Sequence, residues 1–390
     1  MDHYRILFFT SSLQTGGAER HLLNLCRYLR SAGHEVAVCT LSPDEEGLER
    51  FFIDEGIQLF RLPLRSLRFL PAPRTVAGIR RIAGIFKPQI VHAHLFHAEV
   101  AAAFAAIVAP APLVATRHSA GLEFRGWRAL AARVIAPRFD ACIAVSRGAA
   151  EEAIRKGFPP AKVALIPNAV DPGRFRPLAE ADREKGRGAL AAELYPEAVP
   201  RPFVLIGSAG GLKPVKNYPL MLRAASRLVS ARSSSPGAPE LRFVIFGEGE
   251  ERSAYERLGR ELGIDRIFSL PGRRDDLESL YPLLDVFLLP SWNEGLPMAL
   301  LEAMSSGVAC VASDVGDVGE AIEGAGVAAP RGDEGALVEI LQRLVAKEDE
   351  IKELGRKARV RVLERYNVDL WGERILSVYR SVLGRRSPKI

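Results

Sequence analysis

Short apolar segments alternate with longer amphipathic segments along the whole chain of 390 residues. Apolar runs bounded by turn signals are typical of buried strands, and the segments between them are long enough for helices. Because parallel strands need such crossover connections, the alternation predicts an α/β protein with two doubly wound parallel sheets. The predicted strands of the first half are Arg5–Thr10, Glu35–Leu41, Gln58–Leu62, Ile90–Ala93, Leu113–Arg117, Ala141–Val145 and Val163–Ile166. Those of the second half are Phe203–Ser208, Arg242–Phe246, Ile267–Leu270, Val286–Leu289 and Val308–Ala312.

A polar stretch separates the two series of strands. It contains several prolines and a charged segment, Glu180–Arg187, which predict an interdomain linker with one extra helix near Gly188–Leu194. We therefore expect an N-terminal domain over residues 1–170, a linker over 171–202 and a C-terminal domain over 203–367. Residues 368–390 are expected to form a helix that packs back on the N-terminal domain.

The composition is that of an ordinary globular protein, with 48% hydrophobic and 26% charged residues. The chain leads directly into its first strand and has no apolar run of about 18 residues, so we expect neither a signal peptide nor a transmembrane helix. Its four cysteines are scattered, without a C-x-x-C pair, which is typical of buried thiols in a reducing cytosol. These features predict a cytoplasmic protein without a disulfide framework or structural zinc.

The net charge of +6 is unevenly distributed. Residues 1–180 hold 23 basic and 16 acidic residues, and the segment Arg61–Lys87 holds seven basic residues and no acidic one. Leu62, Leu64, Leu67, Phe69 and Leu70 lie among these basic residues and are expected to be exposed. Basic residues mixed with exposed apolar ones indicate a surface for an anionic membrane or an anionic acceptor. A solvated arginine-rich loop and helix is the alternative. Nucleic acid is disfavoured because no recognisable binding module accompanies the charge.

Residues 285–314 place two glutamates around a predicted helix N-terminus. Glu294 lies in the loop after the strand Val286–Leu289, and Glu302 lies about one and a half turns into a helix predicted to begin at Pro297. In an open α/β sheet this position is where ligands bind, and the helix amides favour an anion such as a diphosphate. Carboxylates on either side can accept hydrogen bonds from hydroxyl groups, a layout that fits a nucleotide sugar. The alternative is that both glutamates are surface charges beside an ordinary turn.

A glycine-containing loop follows the first strand of each half. Gly16-Gly17 precedes a helix near the N-terminus, and Gly210-Gly211 is followed by Lys213 and Lys216. Glycines let the backbone approach a ligand, and lysines at a strand–helix junction can contact phosphate. The Gly16-Gly17 loop does not have the G-x-G-x-x-G pattern, which disfavours a nicotinamide cofactor. The later Gly247-Glu248-Gly249 also lacks the third glycine, because Arg252 stands there.

Taken together, these motifs resemble the retaining glycosyltransferases of the GT-B fold, family 4, also called group 1. The resemblance covers nearly the whole chain. It implies two Rossmann-like domains facing across a cleft, with the acceptor bound by the N-terminal domain and the nucleotide sugar by the C-terminal one. The motifs that carry it are Gly16-Gly17-Ala18-Glu19, the His92–His97 segment, His118, Ile166-Pro167-Asn168-Ala169-Val170-Asp171, the Lys213/Lys216 loop, Gly247-Glu248-Gly249, Leu270-Pro271-Gly272 and Glu294–Glu302.

The resemblance implies a role for each matching residue. Glu302 resembles the carboxylate that binds the donor ribose, and Glu294 the one that contacts the transferred sugar. Lys216 resembles the lysine that neutralises the donor diphosphate. The remaining donor-side residues are Gly16, Gly17, Lys213, Gly272, Arg273, Gly295 and Leu296.

On the acceptor side, His118 resembles the histidine that faces the sugar, and we assign catalytic roles to His118 and Glu294. His92, His94 and His97 form an H-x-H-x-x-H pattern that would also suit zinc. No acidic partner lies near in sequence, so we predict no metal site. The resemblance implies that His92, His94 and His97 lie on the acceptor side, and plain packing is the alternative.

One position departs from the family. Members commonly carry an arginine five residues before the phosphate lysine, where this chain has Gly211. Lys213 is a candidate replacement, although lysine does not grip a phosphate with two parallel hydrogen bonds as arginine does.

The resemblance implies a retaining enzyme that moves a sugar, from a UDP-sugar by preference, to a hydroxyl acceptor in cell-envelope polysaccharide or lipopolysaccharide synthesis. Its acceptor would be lipid-linked or anionic, and the enzyme would lie on the inner face of the cell membrane. No two aspartates stand two positions apart, so we expect metal independence and no cofactor. A nucleotide-sugar epimerase of the same fold and a non-catalytic nucleotide-sugar-binding protein are the alternatives.

Overall fold

The computed structural model of the chain describes residues 3–14, 16–43, 47–64, 72–118, 127–196, 202–232 and 239–386. The structure divides the chain into two units: unit 1 is Met1–Asn168 with Val368–Ile390, and unit 2 is Ala169–Asn367. Unit 1 contains a seven-stranded sheet and unit 2 a six-stranded one, and all the paired strands are parallel. The predicted fold class, two Rossmann-like parallel-sheet domains, is confirmed.

In unit 1 the strand order is β3-β2-β1-β4-β5-β6-β7. The strands β2 and β3 are therefore added on one side of β1 and the strands from β4 onward on its other side, so the strand order reverses between β1 and β4. Ligands of open α/β sheets bind at the carboxyl ends of strands beside such a reversal. The strands are β1 (Arg5–Thr10), β2 (Glu35–Thr40), β3 (Gln58–Arg61), β4 (Ile90–His94), β5 (Leu113–Arg117), β6 (Ala141–Ala144) and β7 (Val163–Leu165). Helices α1 (Gly17–Ser31), α2 (Glu49–Asp54), α3 (Pro73–Phe86), α4 (Phe96–Val108), α5 (Trp127–Ile135) and α6 (Arg147–Arg155) connect them.

Helix α1 shows why these segments are helical. Its leucines and cysteine recur at three- and four-residue spacing, and Leu22, Leu25, Cys26 and Leu29 are all fully buried. Burying a leucine side chain stabilises a fold by roughly 1.5–3 kcal/mol, so this one apolar face anchors the helix on the sheet.

In unit 2 the order is β10-β9-β8-β11-β12-β13, and the chain reverses direction between β8 and β11. The helices of this unit are α7 (Glu180–Leu194), α8 (Tyr218–Arg232), α9 (Arg252–Glu261), α10 (Leu277–Leu280), α11 (Met298–Ser305), α12 (Val318–Ile322), α13 (Glu334–Val345) and α14 (Glu348–Arg365). The strands are β8 (Phe203–Ala209), β9 (Glu240–Phe246), β10 (Phe268–Gly272), β11 (Val286–Leu289), β12 (Ala309–Ser313) and β13 (Val327–Ala329).

The stretch predicted as an interdomain linker belongs to unit 2 instead. Helix α7 begins at Glu180, eight residues before the predicted Gly188, and thus includes the charged segment. Arg183 and Arg187 both form ion pairs with Asp285, at 2.6 and 2.9 Å. The charged residues therefore dock α7 onto the loop before β11 rather than solvating a linker.

The last helix, α15 (Val368–Arg386), belongs to unit 1, where it packs against α1. At Gly372 an added Cβ would lie 2.0 Å from the Tyr28 ring, so only glycine allows the two helices to approach this closely. Trp371 and Tyr379 are buried in unit 1, where Trp371 contacts His21 of α1 and Tyr379 contacts His92 of β4.

The predicted strands all form, with bounds that agree to within two residues, and β13 is an additional strand. The helix predicted to begin at Pro297 begins at Met298, with Pro297 as its N-cap. All four cysteines are free and buried, and burial raises the pKa of the Cys39 thiol to about 12. No helix within the described ranges is long and apolar enough to cross a bilayer.

Candidate functional site

The predicted donor residues Lys216 and Glu294 meet at the carboxyl ends of β8 and β11. Lys216 Nζ lies 2.6 Å from Glu294 Oε1, and the Ser291 hydroxyl donates to the same oxygen at 2.8 Å. The side chains of Lys216 and Glu294 are only 20% and 14% exposed. A carboxylate held by a cation and a hydroxyl in a half-buried place has a defined orientation, as a binding group requires.

The loop that carries Lys216 depends on close backbone contacts. A Cβ added to Gly247 would lie 1.9 Å from the carbonyl oxygen of Gly210, which leaves no room for any other residue. Gly210 has φ +155, and Asn217, which follows Lys216, adopts the left-handed conformation with φ +50. These residues set the path of the loop between β8 and α8.

Glu302 is buried on α11. The Tyr281 hydroxyl, in the turn before β11, donates to Glu302 Oε2 at 3.2 Å. A buried carboxylate is costly unless it is hydrogen-bonded, so this contact holds Glu302 in one orientation.

Helix α11 starts between the two glutamates. Among the described residues no side chain caps its N-terminus, so its first-turn amides can interact with an anion. Leu296, just before the helix, is buried, and the Gly295 carbonyl accepts a hydrogen bond from the amide of Asp317. Gly295 and Leu296 thus belong to the ordered loop that leads into this N-terminus.

The other predicted donor residues lie at the ends of neighbouring strands. Gly272 ends β10 with φ +86, and its carbonyl accepts from the amide of Gly247. Arg273 is paired with Asp275 at 3.0 Å. Lys213 is exposed and forms no ion pair within the described part of the chain. It is therefore available to a ligand phosphate.

Gly211, where the family commonly has an arginine, has room for a side chain. A Cβ added there would meet its nearest atom, Lys213 Cε, at 3.7 Å, which is an ordinary van der Waals contact. Its φ lies outside the left-handed range, so the backbone does not require glycine. This chain therefore lacks only the arginine side chain at this position, and the loop has room for one.

In unit 1, His92 is fully buried between two hydroxyl groups. Its Nδ1 lies 2.7 Å from the Tyr379 hydroxyl and its Nε2 lies 2.7 Å from Thr116 Oγ1. Both ring nitrogens are occupied, so His92 joins α15 to the sheet rather than facing an acceptor.

His94 and His118 lie together with a third histidine that the sequence pattern did not indicate. His94 Nδ1 lies 3.0 Å from His118 Nε2. His21, from α1, stacks edge-on against His118 with ring centroids 4.8 Å apart, and its Nδ1 lies 2.8 Å from Asn168 Oδ1. We call His21, His94 and His118 the histidine cluster.

The histidine cluster is uncharged. Burial lowers the pKa of His21 to about 4, against the opposing effect of its hydrogen bond with Asn168. Burial also lowers the pKa of His94 and His118 well below the usual value, and neighbouring imidazoles add to the effect. Near neutral pH the cluster consists of neutral imidazoles, which can donate or accept hydrogen bonds without carrying charge.

The other predicted site residues of unit 1 are not members of the histidine cluster. His97 is exposed on α4. A Cβ added at Gly17 would meet no described atom within 4 Å, whereas one added at Gly16 would meet the Glu19 carboxylate.

In the basic segment, Leu62 is buried in the core, so the expectation of exposed apolar residues is wrong for it. Residues 65–71, which include Leu67, Phe69 and Leu70, lie outside the described residues.

Known proteins with similar sequences are glycosyltransferases. The family model described as Glycosyltransferase Family 4 matches residues 15–174, and the model described as Glycosyl transferases group 1 matches residues 204–347. The chain is 27% identical to the phosphatidyl-myo-inositol mannosyltransferase of Mycolicibacterium smegmatis, over 95% of this chain and 91% of that protein. It is 25% identical to the UDP-Gal:alpha-D-GlcNAc-diphosphoundecaprenol alpha-1,3-galactosyltransferase of Escherichia coli, over 70% of each.

A solved structure has the same fold. The crystal structure of Anabaena HepE in complex with UDP-glucose matches 97% of this chain and 100% of its own, with a TM-score of 0.82 and 22% identity. Two family models that succeed one another along the chain, together with this GT-B fold, identify the protein as an enzyme of the group 1 glycosyltransferases, family 4.

Proposed function

We propose that this enzyme is a retaining, metal-independent glycosyltransferase that moves a sugar from a UDP-sugar to a hydroxyl acceptor. The observation that carries the proposal is the contact between Lys216, Glu294 and Ser291 at the strand ends of unit 2. This contact joins a cation to an oriented carboxylate in the loop that leads into the N-terminus of α11.

The chemistry is departure of a nucleoside diphosphate from the anomeric carbon. Negative charge develops on the β-phosphate as the bond breaks, and the sugar becomes cationic. Lys216 and the first-turn amides of α11 stabilise that developing charge. Because a donor phosphate would compete with Glu294 for Lys216, donor binding releases the Glu294 carboxylate to accept hydrogen bonds from the sugar hydroxyls.

The remaining roles follow from burial and position. Glu302, held by Tyr281, accepts hydrogen bonds from the ribose, and His118 donates one to the transferred sugar as a neutral imidazole. Retention is explained by attack of the acceptor on the same face, with the leaving phosphate taking its proton. This step requires no enzymic nucleophile and no metal.

The choice of UDP and of a lipid-linked acceptor is supported by relatives. HepE was solved with UDP-glucose, and the name of the Escherichia coli relative specifies UDP-Gal and a diphosphoundecaprenol-linked acceptor. The mycolicibacterial relative is named for a phosphatidyl-myo-inositol acceptor. We infer a lipid-linked acceptor of cell-envelope polysaccharide or lipopolysaccharide synthesis, used by a cytoplasmic enzyme at the inner face of the membrane.

The donor assignment is tested by calorimetry and turnover with UDP, GDP and ADP and their sugar conjugates, each with and without EDTA. We expect selective binding of UDP and its conjugates, unaffected by EDTA. Selective binding of GDP would transfer the proposal to a GDP-sugar, and loss of turnover in EDTA would contradict metal independence.

Two alternatives predict different products. An epimerase of the same fold would change the sugar of the donor without an acceptor, so product analysis by NMR in the absence of acceptor separates it from a transferase. A second set of NMR spectra, recorded with acceptor present, reports the anomeric configuration of the product and tests retention. A protein that only binds the donor would give neither product.

Membrane association is supported by α3, which exposes Arg74, Arg80 and Arg81. Each basic side chain near an anionic surface is worth about 1 kcal/mol, so Arg80→Gln/Arg81→Gln should weaken binding to phosphatidylglycerol vesicles by about 30-fold. The matched control removes two exposed arginines of unit 2, Arg257→Gln/Arg260→Gln. Equal binding by both double variants would contradict a membrane surface on α3.

A further inference from the structure

Three imidazoles converge in unit 1 from three separate elements. His21 comes from α1, His94 from the end of β4 and His118 from the residue after β5. Each offers one ring nitrogen, and these nitrogens lie within 4.8 Å of one another. No carboxylate or thiol takes part in this group of described residues.

Two ring nitrogens of the histidine cluster have unused hydrogen-bonding capacity. His21 Nε2 and His94 Nε2 are buried and have no hydrogen-bond partner among the described residues. Buried polar atoms of native proteins are nearly always paired, so two orphaned nitrogens in one cluster indicate a missing partner. A partner with no proton to donate, such as a metal ion, would satisfy both as lone-pair donors.

The surroundings of His21 match those of a metal-bound histidine. Its Nδ1 lies 2.8 Å from Asn168 Oδ1, an oxygen that can only accept, so the proton lies on Nδ1 and Nε2 keeps its lone pair for a ligand. Metal-bound histidines almost always donate their other ring N–H to an oxygen in this way.

We propose that His21, His94 and His118 form a binding site for a zinc ion, with Asn168 orienting His21. Imidazole is a preferred ligand of Zn²⁺, and three histidines with one open position form a recognised zinc geometry. Tetrahedral zinc with nitrogens at 2.0–2.1 Å holds them roughly 3.4 Å apart, so binding draws the rings together. Because the three ligands are neutral, the fourth position favours an anion.

Zinc at this site inhibits the enzyme, a consequence that rests on the role proposed for His118. A His118 side chain engaged with zinc no longer contacts the transferred sugar. The ion would therefore lower turnover without being needed for it, which is compatible with activity in EDTA.

The site is tested on the purified full-length protein by titration with Zn²⁺ in a calorimeter and with Co²⁺ as a spectroscopic probe. We expect one equivalent of zinc and the intense visible absorption of tetrahedral cobalt. His21→Gln and His94→Gln should abolish both signals, and Asn168→Ala should weaken zinc binding by about 10- to 100-fold. The matched control is His3→Gln, because the His3 side chain is 49% exposed and lies outside the cluster.

Circular dichroism shows which variants are folded. If His21→Gln and His94→Gln fail to fold, His118→Gln takes their place, since His118 keeps some exposed surface. Absence of zinc binding to the wild type, or unchanged binding by the folded variants, would overturn the proposal. These titrations do not depend on turnover, so an error in the proposed donor or reaction leaves their result unchanged.

Discussion

The two candidate sites are built on the same kind of sheet edge from opposite chemistry. In unit 2 a lysine and a carboxylate lie 2.6 Å apart, with a hydroxyl group and a helix N-terminus nearby. In unit 1 helix α1 and the ends of β4 and β5 bring together imidazoles that burial keeps neutral. Charge is concentrated in one site and excluded from the other.

This difference predicts that nucleotide binding and sugar orientation are divided between the two units. A nucleoside diphosphate carries charge that the lysine of the unit 2 site matches and the neutral histidine cluster does not, so nucleotide affinity should reside in unit 2. The histidine cluster contributes hydrogen bonds and shape, which orient a sugar without attracting an anion. Substitutions in the two units should therefore affect different measurable quantities.

The largest expected effect is the acid sensitivity of the metal-free histidine cluster. The unfolded chain binds a proton at His21 near pH 6.5, whereas the folded protein resists it until about pH 4. His21 therefore contributes stability above pH 6.5 that is lost as the pH falls toward 4, by about 3 kcal/mol in total. Urea unfolding in EDTA at pH 7.5, 6 and 5 measures this loss.

The matched variant is His21→Gln, which removes the titrating group. The variant should be less stable at pH 7.5 but should lose less stability on acidification than the wild type. Equal losses in the two proteins would show that His21 does not resist protonation and would remove the contrast between the units.

The next effect concerns the charged pair of unit 2. Lys216→Met removes a charge-assisted contact worth about 1.5–3 kcal/mol, so kcat/KM should fall by about 10- to 100-fold. The control is Lys352→Met, which breaks an exposed ion pair with Glu348 and should change nothing measurable. Similar kinetics for the two variants would contradict the role of Lys216.

A gain in UDP affinity is expected from a substitution at Gly211, the position where the chain departs from its family. Gly211→Arg adds a cation beside Lys213 without a steric conflict, so UDP should bind about 10-fold more tightly. Gly210→Arg is the contrasting variant, because an added Cβ there approaches the Tyr218 hydroxyl at 3.0 Å on a backbone with φ +155. If Gly211→Arg left UDP affinity unchanged, the phosphates would lie elsewhere.

The smallest effect concerns the orientation of Glu302. Tyr281→Phe removes one hydrogen bond of about 1 kcal/mol, so UDP should bind roughly five-fold more weakly. Tyr195→Phe is a suitable control in the same unit, because its hydroxyl donates to the backbone carbonyl of Phe243. Both variants should be slightly destabilised, but only the first should lose affinity; a loss in both would reflect stability alone.

The alternation of apolar and amphipathic segments was sufficient to predict both sheets, because periodicity is a local property. It failed where the signal was weak or ambiguous. Strand β13 has only three residues, and the charged segment from Glu180 was interpreted as a linker because its partner Asp285 lies a hundred residues away. The charged residues of this segment hold α7 in place through ion pairs. The charge pattern alone does not distinguish such residues from charged residues exposed to solvent.

The candidate sites show the same limit. Lys216, Glu294 and Glu302 were predicted because each lies in a short motif at a strand end. His21 was missed, since it lies on the apolar face of α1, about 70 residues from His94, and resembles an ordinary core position. Tyr281 was missed because a buried tyrosine in a turn also resembles an ordinary core position. Only the folded structure brings these side chains to their partners.

The most direct test of this division is calorimetric titration of UDP into Glu302→Ala and His118→Gln, beside the wild type. We predict that Glu302→Ala weakens UDP binding by at least about 10-fold, since a hydrogen bond to a carboxylate is worth about 1.5–3 kcal/mol. His118→Gln should bind UDP as tightly as the wild type while losing turnover with a UDP-sugar. Unchanged affinity in Glu302→Ala, together with lost affinity in His118→Gln, would contradict the assignment of the nucleotide to unit 2.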